Sequence, residues 1–147
     1  MVFAWAARTI DGWLVLVRLI RRGWRSLPGD AMGLLVMRAC GIRGPTRRVR
    51  LEGTSALLVE DPRAARYLDR QWMRVHAQTL GRYVFARERL SEATVAHELE
   101  HVRQWRRFGP VYLPLYFVSS TAALLRGRRP YWDNRFEEDA RKRELKS

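Results

Sequence analysis

The sequence predicts an α+β domain in which a small sheet packs on two C-terminal helices, with amphipathic helices in front. Three observations carry this expectation. Short apolar or alternating stretches gather between residues 48 and 87 and break at Gly53 and Gly81. Two helical patterns follow, one over 92–108 and one starting near Asn134. Residues 3–25 combine Trp, Leu and Arg at helical spacing. A chain of 147 residues can bury a core of its own. The expected organisation is an N-terminal helical appendage over 1–44, suited to a membrane surface, and an α+β domain over 45–147.

From the N-terminus, Arg8, Asp11, Arg18, Arg22 and Arg25 fall along one helix face and Ile10, Trp13, Leu14, Val17, Ile20 and Trp24 along another. Such a helix can pack on the core, or lie on an anionic membrane through residues 1–26. Arg8 and Asp11 interrupt the apolar region too early for a signal peptide, and charges recur too often for a spanning helix. Pro28-Gly29 reads as a break, with a second short helix over 34–40. Residues 48–52 and 56–60 read as strands around Gly53, and Pro62 opens a helix running to about Gln71. Residues 74–80 and 82–87 read as strands split at Gly81.

The segment 92–108 is the most informative. Ser91 can cap it, Glu92 suits the positive end of a helix, no Pro or Gly interrupts it, and Gly109-Pro110 stops it. Val95, Leu99, Val102 and Trp105 form its apolar stripe. His97-Glu98-Leu99-Glu100-His101 is an HExxH sequence lying off the centre of that stripe. Residues four apart share a helix face, so His97 and His101 can offer two ring nitrogens to one metal ion. Glu98 then reaches a water on that ion as general base. Two His and one carboxylate favour Zn2+, and the candidates for a third ligand are His76, Asp133, Glu137, Glu138, Asp139 and Glu144.

Beyond the stop, residues 108–125 carry no charge. Pro114 is expected to break the helix, leaving a buried helix over 115–126 that links the metal helix to the next one; a membrane-dipping segment is the alternative. Asn134 to Ala140 reads as that next helix, capped by Asp133 or Asn134 and acid-rich in its first turns. Residues 141–147 are charged and expected to fray.

Composition bounds the partners. The single cysteine, Cys40, excludes an intrachain disulfide and fits a cytoplasmic protein, peripheral to the membrane if residues 1–26 bind it. The net charge is +13, with ten arginines against two aspartates in residues 1–50. No zinc-finger or RNP-like motif accompanies that charge, so nucleic acid is not the expected partner; a peptide or protein substrate is. Arg47-Arg48-Val49-Arg50 reads as a solvated strand start.

The segment Leu80-Gly81-Arg82-Tyr83-Val84-Phe85-Ala86, then Ser91, then Val95 to Gln104 with its HELxHvxQ pattern, then Asn134, Glu137 and Ala140 as NxxExxA, resembles the gluzincin class of zinc metallopeptidases. It is similar in particular to small bacterial metallopeptidase-like domains, including the domain found in contractile injection systems. The resemblance implies a zincin-like fold, zinc held by His97, His101 and Glu137, and peptide-bond hydrolysis with Glu98 as base. The segment from Tyr83 to Arg87 matches the edge strand that gluzincins lay across their cleft, so the resemblance also implies a sheet edge there, to which an extended peptide could add. One position departs: thermolysin-type relatives carry an Asp four residues after the ligand Glu, where this chain has Arg141. Asp139 is then the candidate to orient a histidine. Tyr131, His76, Tyr116 and a nearby Arg are the candidates to steady the oxyanion. Two other functions fit the same residues: a non-catalytic, metal-stabilised scaffold, and a basic peripheral membrane-binding protein.

Overall fold

The computed structural model describes residues 26–71 and 75–145. The amphipathic pattern over 3–25 lies outside the described residues. Those described form an α+β domain built around one mixed sheet of four strands, in the order β1-β2-β4-β3.

The chain is helical over 26–39 (α1). It then forms an antiparallel hairpin from β1 (Arg47–Leu51) and β2 (Thr54–Val59), closed by Glu52 and Gly53 at φ 47° and 75°. Two successive positive φ values give the turn that matches strand twist. Helix α2 (Pro62–Asp69) begins with Pro at its first position and Asp61 capping Arg63 N at 2.7 Å. A second antiparallel hairpin, β3 (Ala77–Leu80) and β4 (Tyr83–Ala86), follows, and β4 pairs in parallel with β2. Helix α3 (Glu92–Phe108) is capped by Ser91 and ended by Gly109 at φ 59°. A 3-10 turn (Gly109–Val111) leads into α4 (Tyr112–Leu125), and α5 (Arg135–Glu144) closes the described chain.

The two faces of the sheet carry separate cores. Ala56, Leu58 and Val84 meet Val95, Leu99 and Val102 of α3. On the other face Val59, Leu80 and Phe85 meet Ala64 and Leu68 of α2, with Trp105, Met37 and Ile42 completing that core. The described part of the 1–44 segment therefore packs into the same core as the sheet.

Three expectations are corrected. The strand Tyr83–Ala86 is not a sheet edge: it lies between β2 and β3 and all four residues are buried. A continuous apolar run is what a central strand covered on both faces requires; the edge beside it is β3. Second, Pro28-Gly29 does not break the chain but lies within α1. Gly29 is where that helix meets the β3–β4 turn, since a Cβ there would come within 2.7 Å of Gly81 Cα and 2.8 Å of the Trp105 ring. Gly81 sits at φ 61°, and Asp30 holds the turn by accepting from Arg82 N at 2.7 Å and Arg82 Nε at 3.0 Å. Third, α4 is not buried. Pro114 falls in its first turn, where no backbone donor is needed, so the helix starts at Tyr112 rather than after the proline. Within α4 only Tyr112 and Ala123 are buried.

Candidate metal centre

Helix α3 presents His97, Glu98 and His101 on a buried face, and α5 packs against it. Glu137 comes from the first turn of α5. That turn is fixed by Asn134, which is fully buried. Its Oδ1 accepts from Phe136 N at 2.9 Å, and its Nδ2 donates to Tyr116 O at 3.0 Å and Ser120 Oγ at 2.7 Å. One side chain thus caps α5 and ties it to α4. Ala140, one turn after Glu137 and fully buried, leaves room for the helices to approach.

His97, His101 and Glu137 converge as a buried cluster able to hold a metal ion. His97 Nε2 and His101 Nε2 lie 3.2 Å apart. Glu137 Oε2 is 3.4 Å from His97 Nε2, and its Oε1 is 3.4 Å from His101 Nε2. The polar inventory fits an ion: Glu137 Oε2 is buried without a hydrogen-bond partner, a costly state that a cation at the centre of the cluster removes.

The tautomer of His101 follows from its neighbours. Gln104 Nε2 donates to Phe136 O at 3.0 Å, a partner that can only accept, so Gln104 Oε1 must face the ring. His101 Nδ1 lies 2.8 Å from that oxygen and therefore carries a hydrogen, directing Nε2 at the cluster. Tyr112 OH, 3.1 Å from Gln104 Oε1 and 3.2 Å from His101 Nδ1, closes this buried group. Around His97, Glu144 Oε2 lies 3.3 Å from Nδ1, near enough to attract it but outside hydrogen-bond alignment. Asp139, expected to orient a histidine, instead pairs with Lys142 at 3.0 Å. Glu144, three residues beyond Arg141, is the carboxylate that faces His97 Nδ1.

The electrostatics follow the same contacts. Burial alone would lower the pKa of His101, but the hydrogen bond and charge of Glu137, with the field of Glu98 and the bond to Gln104, raise it to about 9. Glu137 is shifted the other way. Burial raises it, and the adjacent His101 and His97 rings together with the hydrogen bond from Tyr116 outweigh burial, holding it well below the usual carboxylate range. Tyr116 donates to Glu137 Oε1 at 2.8 Å. Burial first, and then the charge of Glu137, push both Tyr116 and Tyr131 far above the ordinary phenol value, so both keep their protons.

Glu98 is buried beside the cluster, its Oε2 accepting from Thr79 Oγ1 of β3 at 2.6 Å. Trp105 Nε1 donates to Thr79 O at 3.1 Å and so holds the strand in register with α3. A cleft opens here, lined by Thr79, Glu98, His101, Tyr116, Tyr131 and Glu137. Of the other sequence candidates, His76 is exposed and does not line this cleft, although its neighbours Val75 and Ala77 do. Asp133 accepts from Arg129 N, and neither it nor Glu138 lies in the cluster. Glu144, a candidate third ligand in sequence, lies instead beside His97 Nδ1, and Thr79 and Tyr112 were not singled out in sequence. Gln104 carried a signal, one helical turn from His101 on the same face; Thr79 and Tyr112 carried none, because their roles arise only when separate elements meet. Comparison with known proteins gives no match to a family model, to a curated protein or to a solved structure.

Proposed function

We propose that this chain is a zinc-dependent peptide hydrolase with a zincin-like, gluzincin-type site. His97, His101 and Glu137 hold the ion, and Glu98 moves the proton. The observation that carries the reading is the spacing of the donors. Tetrahedral zinc with bonds of about 2.0–2.1 Å keeps its ligand atoms about 3.3–3.4 Å apart. The two imidazole donors of this cluster lie 3.2 Å apart, and Glu137 sets one oxygen 3.4 Å from each of them, Oε2 beside His97 and Oε1 beside His101. Two imidazoles and one carboxylate suit zinc better than the oxygen-seeking alkaline-earth ions.

When bound, the ion polarises a peptide carbonyl and makes water more acidic. The chain supplies the rest. Thr79 holds Glu98 Oε2, which leaves Oε1 to take a proton from the attacking water. The water oxygen adds to the carbonyl carbon, the C–N bond breaks, and Glu98 returns that proton to the leaving amine. The phenol of Tyr131 stays protonated on the cleft wall and can donate to the developing oxyanion, while the proton of Tyr116 is committed to Glu137. The edge strand β3 borders the cleft, so an extended substrate can lie along it by main-chain hydrogen bonding.

The test is Glu98→Gln, assayed for zinc content and for cleavage of an unfolded protein substrate. The variant is expected to keep its zinc and lose turnover by about 10²–10⁴-fold. Unchanged turnover excludes Glu98 as the base. A wild-type protein that holds zinc and cleaves no unfolded protein overturns the hydrolase reading in favour of a metal-stabilised scaffold.

A further inference from the structure

Helical pieces run without a gap from Glu92 to Leu125, 34 residues long and apolar enough by length and composition to cross a membrane. The first half is committed elsewhere, because α3 carries the buried His97, Glu98 and His101. The second half, α4, has 14 residues, about 21 Å of helix against about 30 Å of hydrocarbon. Yet α4 leaves most of its apolar surface in water. Phe117, Val118, Leu124 and Leu125 are 63, 65, 60 and 83% exposed, two adjacent pairs set two turns apart on one face. Large exposed apolar faces of this kind mark contact sites.

The charges around α4 identify what covers it. There is no acidic residue from Glu100 to Asp133. The turn ending α4 is fixed by Gly127 at φ 69° and by Arg128 N donating to Ala123 O at 3.0 Å. It presents Arg126, Arg128 and Arg129, all exposed. The Arg129 guanidinium stands 3.9 Å from Asp133 and also lies over the ring of Trp132, itself 52% exposed. An apolar helix face bordered by arginines and a tryptophan is complementary to acyl chains beneath anionic phosphates.

We propose that α4 is a membrane-docking helix that lies in the headgroup region of an anionic bilayer. Phe117, Val118, Leu124 and Leu125 enter the acyl layer, and Arg126, Arg128 and Arg129 meet the phosphates. Phe117 also lines the cleft, so docking turns the mouth of the cleft toward the bilayer. The corollary, that substrates are chain segments lying at the membrane surface, rests on the hydrolase reading; the docking itself does not.

The experiment is co-sedimentation of the full chain with phosphatidylcholine vesicles, with and without about 30% phosphatidylglycerol. Wild type is expected to bind the anionic vesicles at least about tenfold more tightly than the neutral ones. Val118→Asp/Leu125→Asp is expected to lose at least about tenfold in binding while keeping zinc content and helicity, and Arg126→Glu/Arg128→Glu to lose the anionic preference. Wild type that ignores both vesicles overturns the proposal. So does a Val118→Asp/Leu125→Asp variant that binds undiminished, which would move the contact to residues 1–25. A wild-type dimer in solution that Val118→Asp/Leu125→Asp dissociates would assign the face to a second copy, and also overturns it. Vesicle binding reads neither zinc nor turnover, so its failure is distinct from failure of the hydrolase reading.

Discussion

Replacing Asn134 by Ala tests how the metal helix pair is held together. The side chain is fully buried and makes three hydrogen bonds, one capping α5 and two reaching α4. Loss of an N-cap costs about 1 kcal/mol. Tyr116 O already has the helical bond pattern available to it and Ser120 Oγ can rotate toward its own helix, so each lost bond is weighted at about 1 kcal/mol rather than the full penalty for a stranded group. The total is about 3 kcal/mol, a large share of the about 5–15 kcal/mol that holds a domain folded. The assay is urea unfolding of metal-free protein, which keeps metal linkage out of the comparison. The midpoint should fall with little change in slope, and Asn134→Ser, which restores the cap alone, should recover about 1 kcal/mol. Because Glu137 sits in the turn that Asn134 caps, zinc affinity should fall in parallel. A loss below about 1 kcal/mol for Asn134→Ala would refute the view that this residue locks α5 onto α4.

Two further outcomes follow from the cluster. Gln104→Met removes the acceptor that sets the tautomer of His101 while keeping an apolar filler of similar length; zinc affinity measured against a chelator should drop about 10–100-fold, and an unchanged affinity would exclude the orienting role. The metal-free protein should lose stability as pH rises. The folded-state pKa of His101 lies above its ordinary 6.5, at about 9, so its contribution is complete below about 6.5 and gone above about 9. The span corresponds to about 3 kcal/mol, and Glu137→Gln should flatten it; a flat profile in wild-type protein would refute the His101–Glu137 coupling.

Local chemistry was legible in the sequence wherever it was self-contained. Ser91 and Gly109 bound α3 because a cap and a left-handed terminator act within a few residues. The turn at Gly53 was legible for the same reason, although Glu52, read as the end of the strand, belongs to the turn as well. What was not legible depends on neighbours distant in sequence. Tyr83–Ala86 reads equally as an edge or a centre strand until β2 is found beside it. Gly29 reads as a breaker until the Gly81 turn and Trp105 are seen packed on it. The uncharged run through α4 resembles core in composition, and only the packing of the other elements leaves its face in water. At the site, the HExxH spacing brings two donors together within one helix. The third donor depends on how α5 sits against α3, which Gln104 helps to hold by its bond to Phe136 O across 32 residues and Asn134 supports by tying α5 to α4. Arg141 left the partner of His97 open in sequence; Glu144, two turns beyond Glu137 on α5, reaches the ring instead.

The most direct measurement is the metal content of the purified, zinc-equilibrated protein beside its His97→Ala, His101→Ala and Glu137→Ala variants. Wild type is expected to retain about one zinc per chain through gel filtration, and each variant to lose most of it. Full zinc occupancy in the histidine variants, or none in folded wild type, would contradict the metal centre and the function built on it.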